Sequence, residues 1–453
     1  MTPSPEYRYP QSPVFYRNLT RRFPKIVCGE GCWLFDDRGK RYLDASGGAF
    51  VANIGHGVRE VAEAIGVQAG RVAYINGTAF TSDAAEDLAG ELAKLNPAGL
   101  RYSYFLGSGS EAVEAALKLA RQYCVETGKP SKHKIISQSP GYHGNTMLAL
   151  STSARGHYKK LFEPWLIKVP MIPAPYAYRC SCGGKASCPI CSGSILEKVI
   201  QEEGPETVAA FIAEPIGGSS TGATVPRPDY YRRVREICDK HGVVFIADEV
   251  LTGAGRTGEW TAMNHFGVSP DILVLGKGIS GGYVPLSCVS TSEKFIEPLA
   301  KGTGSLKHAQ TFSHAPTACA AGLAAVRYIK KNNLVARAAK MGKALGRHLE
   351  ILKSLHGVGD VRGIGMLWSV EFVADKKKKT PHPRSLKFAE TFVDFAQENG
   401  LVVWPNVGQA DGTNGDLVMI APPFTITEEE IRQLVSLFET SLEKTLDHLA
   451  EKA

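Results

Sequence analysis

The sequence predicts an α/β protein with a large domain built on a mostly parallel sheet and a smaller α+β lobe. Between about residues 100 and 290, short apolar runs alternate with helical patterns, which is typical of βα units. Near the start, GCWLFDDRGKRYLD alternates apolar and polar residues around an Asp-Arg-Gly turn at 37–39 and predicts a β-hairpin. After about residue 330, an amphipathic helix, a strand-like stretch (GMLWSVEFV) and a terminal helix follow.

Both ends of the chain contribute to the smaller lobe in this prediction. The terminal helix is expected to begin near Thr427, because Thr427 and Glu430 have the spacing of a capping box. We expect the N-terminal segment of the lobe at 1–65, the large domain at 66–330 and the C-terminal small domain at 331–453.

Five apolar runs are predicted to be neighbouring strands of the large domain. They are RYSYFL (101–106), KIIS (134–137), TVAAFIA (207–213), GVVFIA (242–247) and DILVL (271–275). In an open α/β sheet, ligands bind beyond the carboxyl ends of the strands. The residues that follow these runs are therefore the candidates for chemistry.

Each run is followed by residues that could bind a ligand or react. They are GSGSEA (107–112), the pair Tyr142-His143, Glu214, the pair Asp248-Glu249 and Lys277. Together they predict a glycine-rich helix start, an aromatic ring, acids and a single lysine at one edge of the sheet.

Lys277 ends an apolar strand and lies between two glycines. Burying an ammonium is costly, so either the aliphatic stem passes through to water or the amine is kept neutral and reactive. Asp248 also ends an apolar strand, and its charge needs a cationic partner or its pKa will rise. It could hold a proton on a ring nitrogen, or it could simply cap the following turn.

The segment from Gly107 predicts a phosphate site at the start of a helix. Its glycines let a ligand approach the backbone, and the free N–H groups of Gly109 and Ser110 suit an anion. Ser108 and Glu111 also have capping-box spacing, so they could serve only the helix.

Two glycine-rich segments match the dinucleotide fingerprint, one from Gly107 and one at 252–258. The ribose-binding acid that a dinucleotide site wants at the end of the next strand is replaced by Gln138-Ser139. An NAD-dependent oxidoreductase therefore stays a remote alternative.

Composition excludes several classes of function. With 453 residues, of which 43% are hydrophobic and 21% charged, the chain can bury at least one large core. A net charge of +7 is mild, and we expect no nucleic-acid partner. No apolar stretch approaches the ~20 residues that span a bilayer, and the first residues lack an apolar signal core. We expect no membrane partner and a cytoplasmic location.

Four of the ten cysteines cluster in the sequence. Cys180, Cys182, Cys188 and Cys191 form C-x-C-x5-C-x2-C, which suits a structural zinc ion or two short disulfides. Four thiolates would leave no open coordination position, so a catalytic metal is not expected. The other six suit core packing or free thiols in a reducing compartment.

A phosphate site, a buried acid and a reactive lysine at one edge are the requirements of pyridoxal phosphate. The motifs that carry a family resemblance are GCWLFDDRGKRYLDASGG, NIGHG, FLGSGSEAVEAALKLAR, GYHG, AEP, FIADEVLTGAGRTG, LGKGISGGYVPLS, TFSHAPTACAAGLAA and APPFTIT. In this order, along nearly the whole chain, they resemble the class III pyridoxal-phosphate-dependent aminotransferases, the ω-aminotransferase group of fold type I. The resemblance implies a seven-stranded, mostly parallel sheet and a homodimer with shared active sites that could pair into a tetramer.

The resemblance also implies roles for the matched residues. Lys277 would form the Schiff base with the cofactor and move the substrate proton, and Asp248 would keep the ring nitrogen protonated. Gly109 and Ser110 would bind the phosphate. Thr311, in QTFSHAP, would reach the phosphate in the neighbouring subunit.

Four further residues complete the cofactor site that the resemblance implies. Tyr142 would stack on the ring, with Val250 on its other face. His143 belongs to the same GYHG motif. Glu214, in AEP, would lie near the substrate side.

Two departures from the family pattern concern the substrate. Leu251 replaces a glutamine that often contacts the ring hydroxyl, and Asn414 stands about where many relatives carry a mobile arginine for the acceptor carboxylate. Carboxylate binding could then fall to Arg155. Phe50 and Phe80, with Tyr142, could line an aromatic pocket or could be ordinary core.

The activity implied is transfer of an amino group from an amine or ω-amino acid to a 2-oxo acid such as pyruvate, in two half-reactions. Decarboxylases, aminomutases and phospho-lyases use the same fold and lysine. A binding or regulatory protein on an inactive fold is disfavoured, because Lys277, Asp248 and the phosphate site are all retained.

Overall fold

The computed structural model describes residues 7–451, so residues 1–6 and 452–453 of the predicted ranges lie outside the described part. Three sheets organise the chain, one of seven strands and two of four strands. Among residues 7–451, no helix combines the length and the apolar character that crossing a membrane requires.

The central sheet is seven-stranded and mostly parallel, as predicted. Its strands are β4 (Tyr102–Leu106), β5 (Lys134–Ser139), β6 (Met171–Pro173), β7 (Val208–Ala213), β8 (Val244–Glu249), β9 (Ile272–Leu275) and β10 (Ser287–Thr291). They lie in the order β4-β10-β9-β8-β7-β5-β6, and β10 is antiparallel to both its neighbours. All five predicted runs are strands. The short β6 and the polar β10 were not predicted.

Both four-stranded sheets use residues from the smaller lobe. The N-terminal sheet has the order β1-β2-β3-β13 and the C-terminal sheet the order β11-β12-β15-β14. Their strands are β1 (Ile26–Glu30), β2 (Trp33–Asp36), β3 (Arg41–Asp44), β11 (Val358–Ile364), β12 (Leu367–Phe372), β13 (Leu401–Val402), β14 (Trp404–Val407) and β15 (Asp416–Ile420). The predicted hairpin is β2–β3, and β13 pairs parallel to β3. The two ends of the chain therefore share one sheet.

Fourteen α-helices surround these sheets in the described residues. They are α1 (Gly47–Phe50), α2 (Arg59–Arg71), α3 (Asp83–Leu95), α4 (Gly109–Glu126), α5 (Met147–Thr152), α6 (Gly156–Lys159), α7 (Pro189–Ser192), α8 (Ile195–Glu203), α9 (Tyr230–His241), α10 (Glu293–Lys301), α11 (Pro316–Lys331), α12 (Leu334–Glu350), α13 (Phe388–Glu398) and α14 (Glu428–Ala450).

The middle strands β7, β8 and β9 are almost entirely apolar up to their carboxyl ends, because both faces of the sheet are covered. On β8, Val244 and Ile246 join one core cluster with α4, whereas Phe245 and Ala247 join the cluster on the opposite face. Alternate residues of a strand point to opposite faces, so each face needs its own apolar set. A sheet buried in this way leaves only its edges and strand ends for polar chemistry.

Two predicted helix caps have different outcomes. Thr427 and Glu430 form the complete capping box at the start of α14. At α4, the Ser108 hydroxyl accepts from Glu111 N–H, but the Glu111 carboxylate accepts from Gly107 N–H rather than from Ser108. The second box is therefore half formed, because Glu111 instead fastens the turn that precedes the helix.

Arg256 joins the large domain to the C-terminal part of the chain. Its guanidinium is buried, and Nη1 donates to the carbonyls of Met366, Ala421 and Pro422 at 3.2, 3.0 and 2.7 Å. Burial lowers its pKa to about 9. A buried arginine bound to three carbonyls fixes the two parts of the chain against one another.

Candidate active site

Asp248 lies near the carboxyl end of β8, where the strand register points its side chain toward the α4 face. It continues the alternate positions of Val244 and Ile246, which pack on that face. Asp248 Oδ1 accepts from Val250 N–H at 3.1 Å, and Oδ2 lies 2.7 Å from His143 Nδ1. Because a carboxylate only accepts, His143 Nδ1 carries the shared proton. Both side chains are buried.

Lys277 begins a short 3₁₀ turn directly after β9 and has a backbone φ of +45°. Nζ lies 5.2 Å from the centre of the Phe50 ring, and Phe50 also has a positive φ, of +66°. A non-glycine residue is strained in this region, and such strained residues cluster at active sites. Burial lowers the pKa of Lys277 to about 8, although Asp248 and Glu214 partly oppose the shift.

The start of α4 is packed so closely that it needs glycine. A Cβ on Gly109 would lie 2.8 Å from Val250 Cγ1. The Ser110 hydroxyl is held by Asn145, whose N–H donates to it and whose Oδ1 accepts from it, both at 3.1 Å. The helix start therefore presents backbone N–H groups and one fixed hydroxyl, which suits a phosphate.

Glu214 follows β7 and fixes two loops of the site. Its Oε2 accepts from Tyr142 N–H at 3.1 Å and its Oε1 from Gly218 N–H at 3.0 Å. Burial raises the pKa of Glu214 to about 7, and the nearby Asp248 charge raises it further while His143 lowers it. Burial likewise raises the pKa of Tyr142.

These residues line one cavity of ≈ 270 Å³. Every residue predicted for the cofactor site lines it except Thr311, and two predicted pocket residues line it as well. The predicted lining residues are Phe50, Gly109, Ser110, Tyr142, His143, Arg155, Glu214, Asp248, Val250 and Lys277. Leu251, singled out as a departure from the family pattern, also lines the cavity.

Sequence reasoning missed four polar or aromatic side chains of this cavity: Arg17, Tyr158, Ser219 and Trp404. Two arginines contact the Tyr158 ring. The guanidinium carbon of Arg17 lies 5.1 Å from the ring centre, and that of Arg155 lies 4.7 Å from it. Trp404 packs against Phe50 with ring centres 5.6 Å apart. None of the four ends a predicted strand of the sheet, so only the packing of distant segments brings them here.

Arg155 is the buried cation of the cavity. Nη1 donates to Ser219 Oγ at 3.2 Å and Nη2 donates to Asn406, whereas Nε has no hydrogen-bond partner among the described residues. Burial lowers its pKa. Within residues 7–451, no carboxylate pairs with this guanidinium, which makes it a candidate site for a substrate anion.

Three sequence-predicted positions do not line this cavity in their own chain. Phe80 lies on the loop between α2 and α3 with 68% of its surface exposed, so the expected contact with the pocket is absent within the chain. Thr311 is exposed on a turn. Asn414 accepts from Arg384 N–H and donates to Asp411. The four clustered cysteines also lie outside the cavity lining.

The cavity suits pyridoxal phosphate on the chemistry of its groups. An amine of lowered pKa, a buried carboxylate and a helix start that only glycine fits all open into one space. This set matches the aldehyde, ring nitrogen and phosphate of the cofactor. The Leu251 side chain offers no hydrogen-bond donor to the ring hydroxyl.

Comparison with known proteins agrees with this site. The family model for aminotransferase class-III matches residues 16–442. An uncharacterised aminotransferase of Bacillus subtilis strain 168, YodT, is 39% identical over 425 residues, which is 94% of this chain and 96% of that protein.

Two solved structures show the same architecture. An (S)-enantioselective ω-transaminase from Thermomicrobium roseum has a TM-score of 0.89 and 35% identity, with 96% of each chain covered. A PLP-bound amine transaminase from an uncultivated Pseudomonas species has a TM-score of 0.87 and 32% identity, covering 96% of this chain and 98% of that one. These matches overturn the NAD-dependent alternative. The chain belongs to the class III aminotransferases, enzymes of fold type I that depend on pyridoxal phosphate.

Proposed function

We propose that this transaminase moves an amino group from an amine or an ω-amino acid to a 2-oxo acid such as pyruvate, in two half-reactions. The observation that carries the proposal is a cavity in which Lys277 faces aromatic walls and the buried Arg155. A decarboxylase, aminomutase or phospho-lyase on this fold is disfavoured by the relatives, which are named as aminotransferases and transaminases.

The cofactor is held, in this proposal, by residues from three strand ends. Gly109 and Ser110 bind the phosphate at the start of α4. Tyr142 and Val250 pack on the two faces of the ring. Both line the cavity, and Val250 contacts the Gly109 backbone so closely that no side chain fits between them.

Asp248 keeps the ring nitrogen protonated, and His143 orients Asp248 through the 2.7 Å contact. Bound pyridoxal phosphate supplies an electron sink for the charge left when the substrate carbon loses its proton. A buried carboxylate beside the ring nitrogen strengthens that sink, because it stabilises the protonated form of the ring.

Lys277 has two tasks in this proposal. Its Nζ would hold the cofactor through the aldehyde, with loss of water, and this requires the neutral amine that burial favours. Nζ, once free, would act as the base that carries the proton between the substrate carbon and the cofactor. Glu214, with a pKa near 7, lies on the same cavity and helps to set the charge around Nζ.

Arg155 binds the carboxylate of the 2-oxo acid and of an ω-amino acid. The buried guanidinium already contacts Ser219 and Asn406, which hold it in place. Arg17 lines the same cavity over the Tyr158 ring and supplies a second, exposed cation. Two arginines on one pocket favour substrates with a carboxylate over plain hydrophobic amines.

The aromatic side of the pocket binds the rest of the donor. Phe50, Tyr142, Tyr158 and Trp404 all line the cavity. Such walls suit an apolar chain or ring next to the amino group. A plain amine and an ω-amino acid can therefore share the site, with Arg155 used only by the second.

We also propose a homodimer in which Thr311 and Phe80 serve the partner's site. The loops that carry them touch: a Cβ on Gly77 would lie 3.1 Å from the Ser313 carbonyl. Together these loops expose apolar surface, since Phe80 is 68% and Phe312 60% exposed. We further propose the domain boundaries 1–65, 66–330 and 331–453. The pairing of β3 with β13 supports a smaller lobe built from both ends of the chain.

The test is an absorbance spectrum of the purified protein with pyridoxal phosphate, recorded with amines and ω-amino acids and then with pyruvate. We expect the visible band to bleach with a donor and to return with pyruvate. A band that pyruvate fails to restore after bleaching would contradict the two half-reactions. Lys277→Ala is the control, and we expect a folded protein that holds the cofactor without a covalent bond and shows negligible turnover.

A further inference from the structure

A cluster of four thiols lies outside the active site, on the segment between β6 and α8. The side chains are Cys180, Cys182, Cys188 and Cys191, and their Sγ atoms all lie within 4.8 Å of one another. Cys191 is buried, and the other three are half-buried. The proposed transamination uses none of them.

We propose that these four thiolates bind a structural zinc ion, which fastens this segment to the C-terminal sheet. Zinc binds four thiolates as a tetrahedron with Zn–S distances of about 2.3 Å, so its ligand sulfurs lie roughly 3.8 Å apart. The Sγ of Cys180 lies 3.1 Å from Cys182 and 3.8 Å from Cys188, and Cys182 lies 3.4 Å from Cys191. The cluster therefore has the size of a ligand set that needs only small shifts around an ion.

The same distances argue against two disulfides. A disulfide brings two sulfurs to about 2.05 Å and separates them from other thiols as a pair. Here Cys180 and Cys182 each have two thiol neighbours within 3.8 Å. Thiols that share neighbours in this way are arranged as ligands around one central ion.

The backbone next to Cys182 supports a thiolate at this place. Gly183 and Gly184 have φ of +64° and +88°, which turns the chain sharply after the second cysteine. The turn directs Gly184 N–H at Cys182 Sγ, at 3.3 Å. An N–H group donated to sulfur stabilises a metal-bound thiolate and orients it.

The identity of the metal follows from its ligands. Four sulfurs in a tetrahedral set select zinc among the common divalent ions, and a closed set leaves no position for water or substrate. The ion is therefore structural. Its contribution lies in what the segment holds in place.

The residues just before Cys180 join a buried ion pair of the smaller lobe. Glu371, on β12, is fully buried, and its Oε1 accepts from Arg179 Nε at 2.7 Å. Its Oε2 lies 2.8 Å from Arg362 Nη1, and the Tyr176 hydroxyl donates to the same carboxylate. Arg362 also donates to Thr221 O, at 2.7 Å, in the loop that follows Glu214.

These contacts require the segment between β6 and α8 to keep a fixed position. It is largely loop, with only the four-residue α7 inside it, so its own secondary structure cannot hold Arg179 in place. A buried carboxylate that loses a cationic partner is strongly destabilising. Zinc at the cysteines would hold Arg179 and Tyr176 against Glu371, and through them the C-terminal sheet against the large domain.

The first experiment measures metal in the holoenzyme, purified without chelator and with any affinity tag removed. We expect one zinc ion per chain by inductively coupled plasma mass spectrometry and four sulfur neighbours at about 2.3 Å by X-ray absorption. Iron in place of zinc would overturn the proposal. So would metal-free protein, whether its four cysteines titrate as free thiols or its intact mass shows two disulfides.

The second experiment uses Cys182→Ser, with Cys28→Ser as the matched control. Cys28 is exposed and lies outside the cluster. We expect Cys182→Ser to lose zinc and to unfold at a temperature several degrees lower, and Cys28→Ser to keep both properties. Equal zinc content in the two variants would overturn the assignment of the ligands.

The anchoring role is tested on the wild-type holoenzyme, so that it does not depend on a variant that folds. Zinc is removed with a thiol-competing chelator, and hydrogen exchange is followed by mass spectrometry. We expect faster exchange in peptides that cover residues 174–194 and β12, and unchanged exchange in α14. Zinc loss without any change around β12 would overturn the anchoring.

Discussion

His143 Nδ1 lies 2.7 Å from Asp248 Oδ2, and both side chains are buried where the parallel strands of the central sheet end. His143 itself is held by its backbone, whose N–H donates to Ser153 Oγ at 2.8 Å. The imidazole therefore fixes the orientation of the carboxylate that faces the cofactor site. In the proposed mechanism, His143 therefore acts as a positioning residue for Asp248.

Replacing His143 with Phe should keep the packing and remove the hydrogen bond to Asp248. A hydrogen bond to a charged group contributes about 1.5–3 kcal/mol, so we expect kcat/KM to fall roughly 10- to 100-fold. His143→Asn can still donate to the carboxylate and should recover most of this loss. The second readout is the pH dependence of the cofactor absorbance, which should shift in His143→Phe only. The positioning role would be contradicted if His143→Phe and His143→Asn had the same activity as each other and the same pH dependence of the cofactor absorbance.

The rate at which the apoprotein couples to pyridoxal phosphate should depend on pH through Lys277. Burial lowers its pKa to about 8, so the neutral amine dominates above that pH and is lost below it. We expect the rate to rise about tenfold per pH unit below pH 8 and to level off above it. The measurement is the growth of the visible band after mixing, with Lys277→Ala as the control. A plateau only near the ordinary lysine pKa of 10.5 would contradict the burial effect.

Arg155→Met should weaken reactions that use a carboxylate and spare those that do not. We expect kcat/KM for pyruvate and for an ω-amino acid to fall roughly 10- to 100-fold, from the loss of one charge-assisted contact. The half-reaction with a plain amine, followed by the bleaching of the visible band, should change little. Arg155→Lys keeps the charge and serves as the matched variant, and the unfolding temperature of both shows whether the pocket is intact. An equal loss for amines and carboxylates would contradict the assignment.

Thr311 should act in the partner's site, and hybrid dimers test this directly. Thr311→Val in both subunits should weaken cofactor binding, and Lys277→Ala in both should abolish turnover. A dimer with one variant in each subunit has one site in which both residues are intact, provided that Thr311 acts across the interface. We therefore expect the hybrid to regain about half of wild-type activity, since one of two sites in a twofold dimer is complete. A hybrid that is no more active than the Thr311→Val homodimer would show that Thr311 acts within its own chain.

Much of the central sheet could be predicted because its strands are buried on both faces. Such strands read as continuous apolar runs, so β7, β8 and β9 are evident from sequence and their following residues could be assigned to one edge. Two strands escaped this reasoning. β6 has three residues, and β10 (SCVST) is polar in composition although every residue is buried. Their pairing with neighbours, rather than their own pattern, makes them strands.

The half-formed cap at α4 shows a similar limit. Ser108 and Glu111 have the spacing of a capping box, but the Glu111 carboxylate bonds Gly107 N–H and Gln310 instead of closing the box. Spacing fixes which groups are near one another along the chain. Which of these groups form a hydrogen bond also depends on residues from distant parts of the chain, such as Gln310.

The sequence by itself determined the chemistry of this protein. Its key groups are local features of the sequence: a lone lysine, an acid and a glycine-rich helix start each follow an apolar run. A parallel sheet built from these runs presents all three groups at the edge formed by the carboxyl ends of its strands. Only the tertiary structure decided the pocket around them. Arg17, Tyr158 and Trp404 come from segments far apart in the chain, and Phe80 is exposed and does not line the pocket in its own chain. The physical reason is that substrate contacts depend on how loops and lobes pack, which no local periodicity encodes.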